Sequence, residues 1–437
     1  MPDEIEFNIY NFGPINEAKL KINKLNVVGG VNASGKSFSA RLLFCIMTAL
    51  SDEGKRIDNN GVKELFKAII DKYDLSFSQI SSDKLETINS ILTSKLNSLM
   101  ESWEDYDVSY EYFNEFYSKF VEILNEHDVE LKDDLNDILR VIDLHSNKFQ
   151  YVISVLRFIL MMEFGAEQLI TFANGNVEVL MDKKDCKMQY NLHFNSEGLS
   201  IDLNNENQVS CMEFGNVVYM DSISVMDFQL NGVHSHYHYA SLFNSLNSPN
   251  LNYKPNVYDN IDELMSITKQ FHGMLNGKFK FNPLSKIFSF ESHGQSYDVL
   301  NIASGYKQIG VLQLLLSNHQ LTSKTLLILD EPEINLHPSF QIQLARIIVQ
   351  MVKKLGITVY INSHSPFIIE ALEVYSKKEC IEEFTNFYLC DDLDFNGERF
   401  DIIPIQRDDL KTVYDNLSNP FRIINNIRFE NELNDLD

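Results

Sequence analysis

"VVGGVNASGKS", residues 27–37, decides the fold. It contains Gly30-Val31-Asn32-Ala33-Ser34-Gly35-Lys36-Ser37, the full G-x-x-x-x-G-K-[ST] spacing of a phosphate-binding loop. Such a loop leaves a buried strand and opens a helix, so that backbone N–H groups and the helix N-terminus converge on phosphate. Both flanks are present: "KLNVV" (24–28) reads as a short apolar strand and "KSFSARLLFCIMTAL" (36–50) as an apolar helix. Lys36 then offers a point charge to the β- and γ-phosphates, and Ser37 a hydroxyl to Mg²⁺. A loop of this kind holds a nucleotide but does not hydrolyse it. The acidic half of the site must lie elsewhere.

That half is "TLLILDEPEINLHP" (325–338), where Leu326 to Leu329 predict a buried strand ending in Asp330-Glu331. An acid at the carboxyl end of a parallel strand beside the loop is where Mg²⁺ needs a ligand, which suits Asp330. The adjacent Glu331 is placed to polarise an attacking water. Lys36 and Asp330 are 294 positions apart, more than a compact nucleotide-binding core requires, so other structure is threaded between the two halves. "ITVYINSHSP" (357–366) predicts another strand, ending near His364, which is placed to contact a γ-phosphate. In "NIASGYKQIGVLQLLL" (301–316), Ser304-Gly305 open an apolar helix. A second phosphate-binding helix start makes sense if it serves the nucleotide of another subunit.

The order of phosphate loop, S-G-x-K-Q helix, L-D-E-P-E-x-x-L-H-P and S-H-S-P resembles the ABC-type ATPases of the SMC/RecF/OLD group, often described as AAA-family ATP-binding proteins. "YNFGPINEAKLKI" (10–22) is similar to their first β-hairpin, and the resemblance covers about residues 1–50 and 280–375. It implies an α/β P-loop ATPase core: a mixed sheet flanked by helices, an antiparallel lobe, and a helical insertion between the phosphate loop and the signature helix. It also implies ATP and Mg²⁺ as cofactors. Glu331 would be the catalytic glutamate, His364 the switch histidine, and Ser37 and Asp330 the Mg²⁺ ligands. Gly30, Asn32, Ala33, Ser34, Gly35, Lys36, Ser37 and Phe38 would line the nucleotide. Ser304, Gly305, Lys307 and Gln308 would act on the ATP of a partner subunit, although A-S-G-Y-K-Q departs from the usual L-S-G-G-Q. The implied assembly is a homodimer with ATP at its interface, or a higher oligomer built from it.

Hydrophobic residues make up 44% of the 437-residue chain, enough for a globular protein with two or three domains' worth of core. The expected division is a core from 1–50 and 165–437, with a variable region at about 222–276, and a helical arm over 51–164. The polar, acidic start "MPDE" has neither the basic nor the apolar part of a signal. The apolar run "FQYVISVLRFILMMEF" (149–164) is too short to span a bilayer and reads as a buried helix. Five cysteines without a C-x-x-C pair read as reduced residues of a cytoplasmic protein.

The net charge of −25 argues against a protein that coats DNA with its whole surface, although a local basic groove stays open. Residues 101–143 carry 14 acidic against 3 basic side chains. That run reads as a solvated helix face, with docking to a basic protein as the sharper alternative. In "YFNEFYSKFVEIL" (112–124) the apolar residues fall on one helical face, and breaks on either side favour a compact arm over a long coiled coil. "VEVLMD" (177–182), "KMQYNLHF" (187–194) and "LSIDL" (199–203) alternate as strands of the antiparallel lobe, and "NVVYM" (216–220) reads as a more buried strand.

"HSHYH" (234–238) reads as a solvated loop, not a metal site. "CDDLD" (390–394) is similar to the D-x-D of a Toprim nuclease, which OLD proteins carry. With 73 residues after His364, Asp391, Asp392 and Asp394 read instead as a strand-end loop. The functional expectation is an ATP-driven, dimerising switch that regulates a separate effector protein. By resemblance its setting would be anti-phage defence. The alternatives are a RecF-like DNA-repair ATPase and an OLD-like nuclease.

Overall fold

The computed structural model describes residues 4–31, 34–51, 148–165, 175–183, 186–195, 198–203, 214–221, 225–227, 236–247, 261–282, 287–391, 399–411 and 414. The aromatic stripe at 112–124, the acidic run at 101–143, Asn32 and Ala33 of the loop, His234, Asp392 and Asp394 lie outside them.

A hairpin opens the chain, β1 (Glu4–Phe12) and β2 (Ile15–Ile22), followed by the fully buried β3 (Leu25–Gly30) and helix α1 (Lys36–Leu50). Helix α2 (Lys148–Phe164) precedes three antiparallel strands, β4 (Asn176–Lys183), β5 (Cys186–Asn195) and β6 (Gly198–Leu203). Then come β7 (Asn216–Met220), α3 (Tyr237–Asn247), α4 (Ile261–Leu275) and a small antiparallel sheet of β8 (Lys278–Asn282), β9 (Ile287–Ser292) and β10 (Gln295–Asp298). The last part runs α5 (Ser304–Ser317), β11 (Thr325–Asp330), α6 (Pro338–Leu355), β12 (Thr358–Ser363), α7 (Pro366–Lys378), β13 (Thr385–Asp391) and β14 (Phe400–Ile405).

Eleven strands form one sheet in the order β6-β5-β4-β1-β2-β14-β13-β3-β12-β11-β7. From β13 to β7 every pairing is parallel, whereas the wing from β6 to β2 is antiparallel, and β14 joins the two by pairing parallel with β2. The burial patterns show why. β3, β11, β12 and β7 are buried at every residue, as strands covered on both faces must be, while β2 alternates buried and exposed positions. This is the mixed sheet with an antiparallel lobe that the motif order implied.

Helix boundaries follow local chemistry. α6 starts at Pro338, whose missing N–H costs nothing in a first turn, behind the His337 cap, and stops at the left-handed Gly356. "FQYVISVLRFILMMEF" is indeed a helix, and α2 packs on α1. Among the described residues no helix is long and apolar enough to cross a membrane. Cys45, Cys380 and Cys390 are free.

One expectation is corrected here. The end of "HSHYH" is the first turn of α3, and His238 is only 1% exposed. The reason is a stripe at Tyr239, Leu242 and Leu246, all buried, whose helical spacing continues beyond the polar run.

Candidate functional site: a phosphate loop facing an acidic strand end

β3 delivers the loop and α1 receives it. Gly35 caps α1 at φ 89°, a left-handed conformation that suits glycine. At Gly30 a Cβ would fall 2.6 Å from the Cys390 carbonyl oxygen, so β13 presses directly on the loop. Lys36 is 3% exposed, and its Nζ donates to the carbonyls of Gly30 (3.0 Å) and Val31 (2.6 Å) and to Ser34 Oγ (3.2 Å). All three acceptors are neutral. Burial lowers the Lys36 pKa, although Cys390, Glu331, Asp330 and Glu333 oppose the shift. A buried ammonium whose hydrogen-bond partners among the described residues are uncharged is a fitting counter-charge for a polyphosphate. Phe38 packs its ring on Phe12 (5.4 Å between centroids) and Phe164 (4.9 Å), beneath the loop.

Asp330 ends β11 and is paired in register with Asn362 of β12. Asn362 Nδ2 bridges the halves of the site, donating to the Lys36 carbonyl (2.8 Å) and to Asp330 Oδ1 (2.9 Å). Asp330 Oδ2 accepts from the Tyr219 hydroxyl at 2.8 Å. Both carboxylate oxygens are thereby fixed in direction. Among the described residues Asn362 Oδ1 is buried without a hydrogen-bond partner. Oxygen donors held this way are the hard ligands Mg²⁺ prefers, so the residues present fit that ion, with Asp330 and Ser37 as the side chains that would hold it.

Glu331 has φ 53°, an uncommon backbone state for a non-glycine residue and a mark of functional sites. Its N–H bonds the Asn362 carbonyl, and its carboxylate stays partly exposed, 3.4 Å from His364 Nδ1. Glu333 is the opposite case. It is 3% exposed, and Oε1 accepts from Ser363 Oγ (2.6 Å), His364 N–H (2.9 Å) and Ser365 N–H (3.2 Å). Burial raises its pKa, against those hydrogen bonds and His364. Glu333 therefore shapes the turn that presents His364, whose Nδ1 lies 3.4 Å from it as well.

Ser304 is exposed at the start of α5, while Gly305 packs against the backbone of Asn335 in the loop after Glu333. Lys307 and Gln308 are buried and have interaction partners. The fold thus gathers Lys36, Ser37, Asp330, Glu331 and His364 at the carboxyl ends of β3, β11 and β12. Sequence reading passed over Asn362, Glu333 and Tyr219. The signals available for them were an amide opening N-S-H-S, the second acid of D-E-P-E, and a tyrosine near the end of a wholly apolar strand.

A parallel core with a phosphate loop after β3 and an acid-tipped β11 two strands away is the layout of a P-loop nucleotide-binding fold. The motif order along the chain resembles that of the SMC/RecF group. Residues 222–370 match the family described as "AAA domain, putative AbiEii toxin, Type IV TA system", a stretch that includes β11 and β12 but not the phosphate loop. No curated protein matches the chain in sequence. Among solved structures, the chain is similar to the SMC head domain from Thermotoga maritima, with 10% identity, 92% of this chain and 99% of that one covered, and a TM-score of 0.41. It is also similar to an SmcHead bound to the C-winged helix domain of ScpA, at 8% identity, 94% and 100% coverage and a TM-score of 0.43. A Smc head domain with an extended coiled coil, bound to the C-terminal domain of ScpA derived from Pyrococcus furiosus, matches at 8% identity, 98% and 100% coverage and a TM-score of 0.43. Likeness this coarse assigns no role to any residue.

Proposed function

We propose that the protein hydrolyses ATP and uses the cycle as a dimerising switch that regulates a separate effector protein. The observation that carries this reading is Lys36, a buried cation held by neutral acceptors and joined through Asn362 to Asp330. In this reading the loop and Lys36 bind and orient the phosphates. Asp330 and Ser37 would hold Mg²⁺, which when bound would supply charge neutralisation and polarisation of the phosphoryl group. Glu331 takes the proton of the attacking water, and its partly exposed carboxylate is free for that role in a way Glu333 is not. His364, fixed by the Glu333 turn, faces the phosphate end of the site. Ser304 and Gly305, at an exposed helix start, complete the site of a second copy.

The family description, a putative toxin of a Type IV toxin–antitoxin system, supports a protein that works as one of a pair, and hence a defence setting. The acidic balance of the chain favours a protein partner over DNA. The test is Glu331→Gln, which keeps the shape and removes the proton acceptor. Phosphate release should fall by about 10²–10⁴-fold. ATP should still bind, and light scattering should show the ATP-bound dimer accumulating. An apo monomer whose mass stays the same with ATP in this variant refutes the switch.

A further inference from the structure

Beside Asp330 lies a cluster of ionisable groups that hydrolysis as described leaves unused. Tyr219, near the end of β7, is 1% exposed and holds Asp330 Oδ2. Arg41, from α1, faces the same tyrosine. Burial works against its charge, yet Tyr219, Glu163 and Asp221 together hold the guanidinium charged. Glu163, in the last turn of α2, accepts the His238 backbone N–H at 2.7 Å. Its two carboxylate oxygens lie 3.0 and 2.8 Å from His238 Nδ1. On its other side, His238 Nε2 is 3.5 Å from Asp221 Oδ2, which also accepts the Tyr239 hydroxyl at 2.7 Å. The Tyr219 and His238 rings are 4.8 Å apart between centroids.

Glu163, Asp221 and Asp330 are thus three buried carboxylates around Arg41 and the His238 imidazole. Charges taken out of water persist only when paired, and removing one member leaves its neighbours uncompensated. Such a network responds as a unit. Its place in the chain gives it direction. Arg41 sits on the helix that runs out toward residues 51–147, and Glu163 on the helix that returns from them. Both flanking helices therefore contribute a side chain to the cluster beside Tyr219, which holds Asp330.

We propose that Tyr219 is a positioning residue for Asp330, and that the Arg41–Glu163–His238–Asp221 cluster couples helices α1 and α2 to it. A shift of α2 against α1 then changes how tightly the site holds Mg²⁺. The inference rests on Asp330 being a Mg²⁺ ligand.

The experiment titrates Mg²⁺ against binding of a fluorescent ATP analogue, with the Mg²⁺-free affinity measured in EDTA. Tyr219→Phe keeps the ring and removes one hydrogen bond to a charged acceptor. The Mg²⁺ half-saturation point should rise about tenfold or more. Mg²⁺-free nucleotide affinity should not move, which a general loss of packing would not spare. Glu163→Gln should shift the half-saturation point the same way. The double variant should shift it by less than the product of the single effects, because both act through one carboxylate. Should Glu163→Gln fail to fold, His238→Gln takes its place in the cycle. An unchanged Mg²⁺ dependence in Tyr219→Phe, or fully multiplicative shifts in the double variant, overturns the proposal. A wild-type protein whose nucleotide binding ignores Mg²⁺ instead refutes the functional reading on which it stands.

Discussion

Glu333→Ala tests the division of labour between the two acids of D-E-P-E. The alanine leaves the His364 backbone N–H facing a void where Oε1 accepted it, while the Ser365 N–H keeps its second acceptor, Ser363 Oγ at 3.0 Å. Ser363 Oγ loses the same acceptor but can rotate. An orphaned donor costs about 1–3 kcal/mol, so a loss of about that size is expected. At about 2–4 °C per kcal/mol, melting should fall by about 2–12 °C. Hydrolysis should fall too, because the turn carrying His364 relaxes, yet analogue binding to the Lys36 loop should survive. Glu331→Gln should do the reverse, with turnover lost and melting unchanged, since its carboxylate is partly exposed and holds no turn together. Thermal melting, analogue binding and phosphate release on both variants make the comparison. If Glu333→Ala melts like wild type but does not turn over, Glu333 is the base and the assignment is inverted.

Lys36→Ala should abolish nucleotide binding in an equilibrium assay; normal affinity in that variant would sink the loop assignment. Ser304→Arg places a bulky cation where a partner's phosphates are expected to dock, and should remove hydrolysis while leaving binding to its own loop. Mixing Lys36→Ala with Ser304→Arg subunits should restore part of the activity that each lacks, because one composite site in the heterodimer keeps both elements. Mixtures as inactive as their components count against sharing the site between subunits. Asp391→Ala with Asp394→Ala should leave hydrolysis intact, and loss of a metal-dependent DNA cleavage in that double variant would promote the nuclease reading.

The elements that the sequence determined are those whose signal is contiguous. The phosphate loop is a strand, a turn and a helix in one run of residues, so its spacing alone places Lys36 and Ser37. The acid-tipped β11 and the alternating strands β4 to β6 are equally local, each recognisable from a single hydrophobic period. α3 was harder, because its polar first turn looks like the loop before it, and only the later Tyr239, Leu242 and Leu246 stripe sets the helix.

What the tertiary structure decided is which side chains stand around Asp330. Asn362 bonds it because β12 pairs with β11 in one particular register, and Tyr219 because β7 flanks the other edge of β11. Glu333 reaches Ser363 and His364 across 30 and 31 positions for the same reason. A one-residue slip in any of these pairings turns the side chains to the opposite face of the sheet. No periodicity within one segment encodes that register. It arises from burying β3, β7, β11 and β12 on both faces at once, which only the assembled sheet and its helices accomplish.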